Sequence, residues 1–472
     1  MNLLFASLSD MHLGEEDSLL TNLALGRAEP RPGSPSPCLS ALVNYLHAVK
    51  RWLNEGKPIP FLVLNGDILE LALADYPTAI PTFRVFLSEI SRRRICDRIV
   101  FIPGNHDHAL WSLIRDSRFL GSLQQEEERD RKSPEVTHVT ELSTPAESSL
   151  LDTISSNLSL KAEPVPLFVA NPAFRLQSWQ KQEFLFHHGH LMEHTYTMLS
   201  LLRDRIMSDL PFEELKKKPL RDDLKHLEAD NWPWIDFIWS GFARAGRVGQ
   251  TVEALYELMS RPEGIKKLVD RLSSLLRTEL NLPGIPEAFE DDVLRFMFQK
   301  ALEWGGAGSR ERAEPQRSPF NEDIQAMLSR FVTHYLQAEL AHEGLRPAEN
   351  RTCFVFGHTH KPFLDTLREE SFGRLSVVNS GGWIVESEEY RPIYGPGLVL
   401  GSNSGDLAMV HYRLDTEPGS EVREAGSWDA TLKKLQEHED LERAVAEAVR
   451  VRRGYIKQRN EKTVKLLKNL EK

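Results

Sequence analysis

Cysteine is scarce in this chain: Cys38, Cys96 and Cys353 are the only three in 472 residues, widely spaced and with no C-x-x-C pair. That excludes a disulfide framework or a zinc ribbon as the organising device and favours a reducing compartment. Long apolar runs are missing as well. No stretch approaches the roughly 18 uncharged apolar residues of a spanning helix. The opening Met1-Asn-Leu-Leu-Phe-Ala-Ser-Leu-Ser-Asp10 has neither the basic start nor the apolar length of a signal peptide. The expectation is a cytoplasmic protein. An excess of positive charge is also absent. The formal net charge of -11 makes a sequence-independent grip on long nucleic acid a poor fit. What is present is ordinary for a globular protein, 41% hydrophobic and 27% charged residues. The length accommodates two or three domains, or one elaborated domain.

Short apolar runs, by contrast, recur, and each ends in polar residues of one kind. In Phe61-Leu-Val-Leu-Asn-Gly-Asp-Ile-Leu-Glu70 the apolar stretch reads as a strand buried on both faces. Gly66 frees the backbone to turn, and Asp67 is delivered at the C-terminal end, where open α/β sheets bind ligands. Residues 3–8 run into Ser9-Asp10-Met11-His12. A carboxylate and an imidazole two residues apart share one side of an extended backbone, a donor pair suited to Mn, Fe, Co or Zn rather than Ca or Mg. Arg98-Ile-Val-Phe-Ile-Pro-Gly-Asn-His-Asp-His108 delivers Asn105, His106 and Asp107. Residues 183–186 end in His187-His188-Gly189-His190, three imidazoles in four residues. Thr352-Cys-Phe-Val-Phe-Gly-His-Thr-His360 repeats the design a fifth time, with His358 and His360. An acid at a strand end is common, D-x-H alone is a weak signal, and Asn is more often a turn residue. Repetition is what turns these positions into a candidate metal centre.

Between the motifs, apolar spacing predicts helices over residues 39–54 and 78–93, giving strand–helix–strand units, with a Pro-rich loop at 28–37. Residues 121–162, first charged and then rich in Ser and Thr, read as a flexible surface insertion. From about 191 to 346 the strands disappear, and helices are predicted at 253–259, 265–276, 293–304 and 324–340. Within this block Asn231-Trp-Pro-Trp-Ile-Asp-Phe-Ile-Trp239 reads as the core of a helical bundle, with an apolar substrate groove as the sharper alternative. Because strands resume at 352, with more at 375–378 and 408–414, the block is expected to be an insertion capping the sheet. The tail from about 427 should be one or two helices. It is basic from Arg450 onward (Arg452, Arg453, Lys457, Arg459, Lys462, Lys465, Lys468), which suits a solvated face or contact with an anionic membrane. The expected division is a core of 1–120, 163–195 and 347–420, a flexible insertion at 121–162, a helical cap at 196–346 and a helical basic tail at 421–472.

The series D-x-H, G-D-x-x-E, G-N-H-D, H-G-H and G-H-T-H, in that order, resembles the calcineurin-like metallophosphoesterase superfamily over roughly residues 1–120, 165–195 and 350–415. The resemblance implies an α/β fold, a two-sheet metallophosphoesterase sandwich flanked by helices, here with a large α-helical insertion as a cap. It implies two divalent transition metals (Mn, Fe, Zn, Ni or Co). Asp10, His12, Asp67 and His360 are expected to hold the first, and Asp67, Asn105, His188 and His358 the second, with Asp67 bridging. His106 matches the general acid and Glu70 the acidic residue that orients it. His187 is an alternative register for His188, and the role of His190 is open. Residues 379–383, Asn-Ser-Gly-Gly-Trp, match a loop that packs beneath the site.

The implied activity is hydrolysis of a phosphate mono-, di- or pyrophosphate ester by a hydroxide shared between the metals, with His106 protonating the leaving group. A nucleotide- or lipid-linked phosphoester beneath an inserted lid is the expected substrate; a nuclease or cyclic-nucleotide phosphodiesterase is the alternative. A non-catalytic scaffold on this fold is expected to have lost ligands or the acid histidine, and none of those positions is missing.

Overall fold

The uninterrupted apolar runs become inner strands. The computed structural model describes residues 2–24, 29–124, 142–143, 164–208, 210–236, 240, 319–348, 351–385, 387–425 and 438–470. In it, β1 (Leu3–Leu8), β2 (Ile59–Asn65), β3 (Cys96–Ile102) and β4 (Leu167–Val169) pair in parallel. A second group comprises β5 (Ala173–Gln177), β6 (Glu183–His187), β7 (Thr352–Phe356), β8 (Phe363–Glu369) and β9 (Gly373–Asn379). Here β6, β7 and β9 are parallel, and the edge strands β5 and β8 run antiparallel to their neighbours. β10 (Gly397–Ser402), β11 (Leu407–Tyr412) and β12 (Ser420–Ala425) return to extend the first group on the free side of β1. The result among the described residues is a seven-stranded sheet, β12-β11-β10-β1-β2-β3-β4, and a five-stranded sheet, β5-β6-β7-β9-β8.

The two sheets pack face to face. Phe5, Val63 and Val100 of the first meet Phe184, Phe186 and Val355 of the second. The Phe5 ring stands edge-on to Phe184 and Phe186 at 4.9 and 5.0 Å. Each outer face carries helices. α1 (Pro37–Leu53), α2 (Tyr76–Arg92), α3 (Ala109–Gln124) and α9 (Glu439–Leu470) cover the first sheet through Leu42, Phe83, Trp111 and Val449. α1 and α2 begin where the chain offers an N-cap followed by proline: Ser36 and Asp75 accept from the N–H groups of Leu39 and Thr78 at 2.9 Å each. The second sheet is covered by α4 (Met198–Met207), α5 (Phe212–Leu215), α6 (Leu224–Ile235), α7 (Glu322–Arg330), a π-helical turn at Phe331–Leu336 and α8 (Gln337–His342).

This is the expected two-sheet sandwich. The described part of the 196–346 block forms a layer on the outer face of the second sheet. The helices expected at 253–259, 265–276 and 293–304 lie outside the described residues, as does most of the 121–162 insertion. The helix expected at 324–340 is present, but a π turn interrupts it and directs Phe331 into the core. Trp232 and Trp234 are half-buried rather than interior. Trp232 lies under the Arg115 guanidinium at 3.3 Å, and Trp234 donates to the Thr195 carbonyl at 2.9 Å. The aromatic stretch thus joins α6 to its neighbours.

The basic tail is partly structural. Leu441, Val445 and Val449 of α9 enter the core beside α1. Arg452, only 5% exposed, donates to the carbonyls of Ser18 at 2.8 and 3.1 Å and of Thr21 at 2.5 Å. Arg459 pairs with Asp17 at 2.5 Å. The segment gripped in this way follows directly on Asp10 and His12, and the Ser18 hydroxyl donates to the Met11 carbonyl at 2.7 Å. No helix among the described residues is long and apolar enough to cross a membrane. Replacing Arg452 by Met keeps the bulk and removes the bonds, so unfolding free energy should fall by about 1–3 kcal/mol. An unchanged urea midpoint would show that α9 does not secure residues 17–21.

Candidate metal centre

Parallel pairing sends β1, β2 and β3 toward one edge of the first sheet, and β6 and β7 likewise in the second. Every motif therefore leaves its strand on the same side of the sandwich. Asn65, at the end of β2, joins the two edges: its amide donates to the carbonyls of His187 at 3.4 Å and Val355 at 3.1 Å. The loops after β1 and β2 then run side by side. Asp10, His12 and Leu13 donate backbone N–H groups to Gly66, Asp67 and Ile68 at 3.0, 3.0 and 2.9 Å. Space is short where the edges meet. A Cβ on Gly66, whose φ is +86°, would lie 2.2 Å from His188 Nδ1, so only glycine fits that turn.

Convergence yields two trios whose potential ligand atoms lie within 4.8 Å of one another: Asp10, His12 and His360, and Asp67, His188 and His358. All six residues are buried. In the first trio His360 Nε2 is 3.1 Å from Asp10 Oδ1 and 3.3 Å from His12 Nε2. In the second, His188 Nε2 is 3.1 Å from Asp67 Oδ2 without being aligned for a hydrogen bond. Asn105 is 1% exposed, and among the described residues neither its side-chain oxygen nor its nitrogen has a hydrogen-bond partner. A purely structural Asn so deeply buried should not leave both atoms unsatisfied. Asp67 falls in the second trio; it is not part of the first.

The tautomers suit cations. Glu70 Oε2 lies 2.8 Å from His12 Nδ1, and the Asn65 carbonyl lies 3.1 Å from His188 Nδ1. With Nδ1–H donating in both rings, each Nε2 becomes a lone pair, the form in which imidazole binds metal. Burial also pushes the pKa of His12 down, despite the opposing pull of Glu70. His12, Glu70 and His106 form a third close group, but hydrogen bonds account for it. Glu70 Oε1 accepts from His106 Nδ1 at 2.9 Å and from the N–H groups of Ala72 and Leu73 at 2.7 and 2.8 Å. Burial disfavours ionisation of Glu70, yet His106 and His12 hold its carboxyl well below the usual range.

Residues with no expected role also shape the site. Asp107 accepts from the N–H groups of Ile68, Leu69 and Gly104 at 2.7, 3.1 and 2.7 Å, tying the Asp67 loop to the Asn105 loop. Burial and then the charge of Asp67 push Asp107 up to about 7. The Ser9 hydroxyl bonds Asp10 and lies 2.5 Å from that of Ser380, which brings the 379–383 loop beneath the first trio. Glu193 Oε1 is 3.1 Å from His358 Nε2. His187 turns away, with Nδ1 accepting from Gly189 N–H at 2.9 Å and its ring 4.8 Å from that of Phe331, so His188 is the residue in the trio. His190 is buried 5.5 Å from the His188 ring and belongs to neither trio. Beyond it, Leu191, Met192, His194 and Thr197 line a pocket completed by Lys218, Leu220, Leu227, Met327, Arg330, Phe331 and Tyr335. N-H-D flagged Asp107 by position; nothing in the sequence marked Glu193.

Two stacked mixed sheets with carboxylate, imidazole and amide donors at their shared edge make up a metallophosphoesterase sandwich. The calcineurin-like phosphoesterase family model matches residues 3–237, and the chain belongs to that family of metal-dependent phosphoesterases. Among solved structures, a dimetal phosphatase from Danio rerio is similar at 11% identity, over 86% of this chain and 94% of that one. The TM-score of that pair is 0.29. No curated protein matches the sequence.

The His188–Asp67 contact makes the metal-free protein sensitive to pH. Burial opposes charging His188, but the charge and contact of Asp67 outweigh it and push the ring up to about 9 from the ordinary 6.5. A group raised on folding stabilises the fold fully below its unfolded value and loses that contribution as pH rises through the folded one. Chelator-treated protein should therefore lose stability between about pH 6.5 and about pH 9 in urea titrations, and cation binding at neutral pH should release a proton. A His188 ring titrating at its ordinary value by NMR would contradict this.

Proposed function

We propose that the protein hydrolyses a phosphate mono-, di- or pyrophosphate ester with two divalent cations from the Mn, Fe, Zn, Ni and Co group. Asp10, His12, Asp67 and His360 hold the first, and Asp67, Asn105, His188 and His358 the second. The observation that carries this reading is the pair of buried trios on adjoining sheet edges, joined by the side-by-side loops after β1 and β2. Cations bound there supply activated water at neutral pH and neutralise phosphoryl charge.

The chain's own part is to orient ligands and to deliver a proton. Glu70 takes Nδ1–H of His106, so the proton for the departing oxygen is the one on Nε2. Glu70, held ionised, fixes the orientation of the His106 ring through that bond. His106 also donates its backbone N–H to Asp67 Oδ1 at 2.8 Å, placing acid and ligand in one turn.

The substrate best supported is a small nucleotide- or lipid-linked phosphoester. Net charge of -11 disfavours long nucleic acid. Contact of the tail with an anionic membrane falls to Lys457 among the described side chains, since Arg452, Arg453 and Arg459 bind the protein's own carbonyls and Asp17.

Chelation should abolish phosphoesterase activity, and adding back Mn or Zn should restore it with two bound equivalents by elemental analysis. Activity that persists in stripped protein would refute the metal dependence. His106→Asn should keep the backbone bond to Asp67 and the metal content. It should slow alkyl phosphates by about 10²–10⁴-fold and aryl phosphates far less. Equal slowing of both would remove the acid role. A panel of nucleotide-lipid, cyclic nucleotide and single-stranded DNA separates the substrate classes.

A further inference from the structure

His358 carries more side-chain contact than its motif implies. Its backbone sits in the left-handed region at φ 70°, and its N–H spans both oxygens of Asp10 at 3.0 Å each. The ring is fixed by a segment well away in sequence. After β6, a one-turn 3-10 helix at His190–Met192 is followed by consecutive turns, with Glu193 N–H bonded to His190 and Tyr196 N–H to Glu193 at 3.0 and 3.1 Å. These turns place Glu193 and Tyr196 on one side of the chain, against His358. Glu193 Oε1 lies 3.1 Å from His358 Nε2, and the Tyr196 ring stands edge-on at 5.0 Å. His188 closes the opposite side at 5.3 Å.

We propose that Glu193 is a positioning residue for the second cation: its carboxylate accepts Nε2–H of His358, leaving Nδ1 as the ring's ligand nitrogen. This rests on the reading of Asp67, Asn105, His188 and His358 as a cation site. A metal-bound imidazole commonly donates its other N–H to a carboxylate or carbonyl, which fixes the tautomer and raises ligand basicity. His12 has Glu70 in that part, and His188 has the Asn65 carbonyl. Glu193 supplies the third such acceptor, and it comes from the turns that lead from β6 toward the inserted helical region. Those turns are thereby a working part of the second site, and a displacement of residues 190–196 alters cation binding.

The test is calorimetric titration of the chelator-stripped full-length protein with Mn, comparing wild type, Glu193→Ala and Glu193→Gln. Far-UV circular dichroism checks that each is folded. Glu193→Ala should weaken the second equivalent by roughly 10–100-fold and leave the first unchanged. Glu193→Gln, whose amide oxygen can still accept Nε2–H, should retain most of the affinity. Three outcomes overturn the proposal: wild-type affinity for both equivalents in Glu193→Ala, equal weakening of both, or Glu193→Gln as damaged as Glu193→Ala, which would make Glu193 a ligand itself. If wild type binds no second equivalent, the reading of the site itself fails instead.

Discussion

Three carboxylates, Asp10, Asp67 and Glu70, are withdrawn from water almost completely, at 0%, 1% and 0% exposure. An ionised carboxylate in a protein interior is prohibitively costly unless charge and hydrogen bonds compensate it. The compensation shown here is imidazole and backbone N–H: His360 and the His358 amide for Asp10, His188 and the His106 amide for Asp67, and His106, His12 and two amides for Glu70. Burial lowers the pKa of His12, His187 and His190, so those rings resist taking up protons, whereas His188, facing Asp67, is pushed up to about 9. The edge of the sandwich is therefore built to gather negative charge, and cations are the economical counterweight. Most of the local architecture serves to keep these groups close together.

That closeness strains the backbone. Of the eight described non-glycine residues with positive φ, five are candidate ligands: Asp10, His12, Asp67, His358 and His360. Such conformations cost of order 1–3 kcal/mol each and persist only where surrounding structure dictates them. Here the dictating structure is the aromatic layer of Phe5, Phe184 and Phe186, whose packing holds the two sheets together, and the Asn65 amide that ties their ends. Concentrated at one edge, the strain marks function more directly than any single motif does.

β1, β2, β3, β6 and β7 and the candidate residues at their ends were legible because an apolar run that meets a polar motif is a local pattern and its repetition compounds the signal; β10, just as buried, ends in no such motif and was not. Of the edge strands, β5 was legible at 174–176, but β8 and β12 were not. β8 alternates buried and exposed positions around Asp365 and Arg368, and β12 reads Ser-Glu-Val-Arg-Glu-Ala, so neither carries enough apolar residues to stand out. Local pattern also cannot report pairing at a distance. Glu70 was legible as a partner of His106, but its bond to His12, 58 residues away, depends on how the loops after β1 and β2 lie together. Glu193 sits in Leu-Met-Glu-His-Thr, which resembles any helix entry; its meaning comes from a histidine beyond the whole inserted block. Arg452 looked like a solvated basic residue because charge in sequence says nothing about the unpaired carbonyls it will meet.

The lone pairs of the three acids separate their tasks. A carboxylate has about four acceptor sites. Among the described residues, Glu70 takes His106, Ala72 and Leu73 on Oε1 and His12 on Oε2, and so is the acid most committed to hydrogen bonds. Asp10 spends both oxygens on the His358 amide and one on the Ser9 hydroxyl, yet still faces His360. Asp67 accepts a single backbone N–H, from His106, and its other oxygen faces His188 out of hydrogen-bond alignment. The acid with most unspent capacity is thus the one at the meeting of the two loops. This is the distribution expected if Asp67 is shared between two cations, Asp10 serves one, and Glu70 serves only the rings around it.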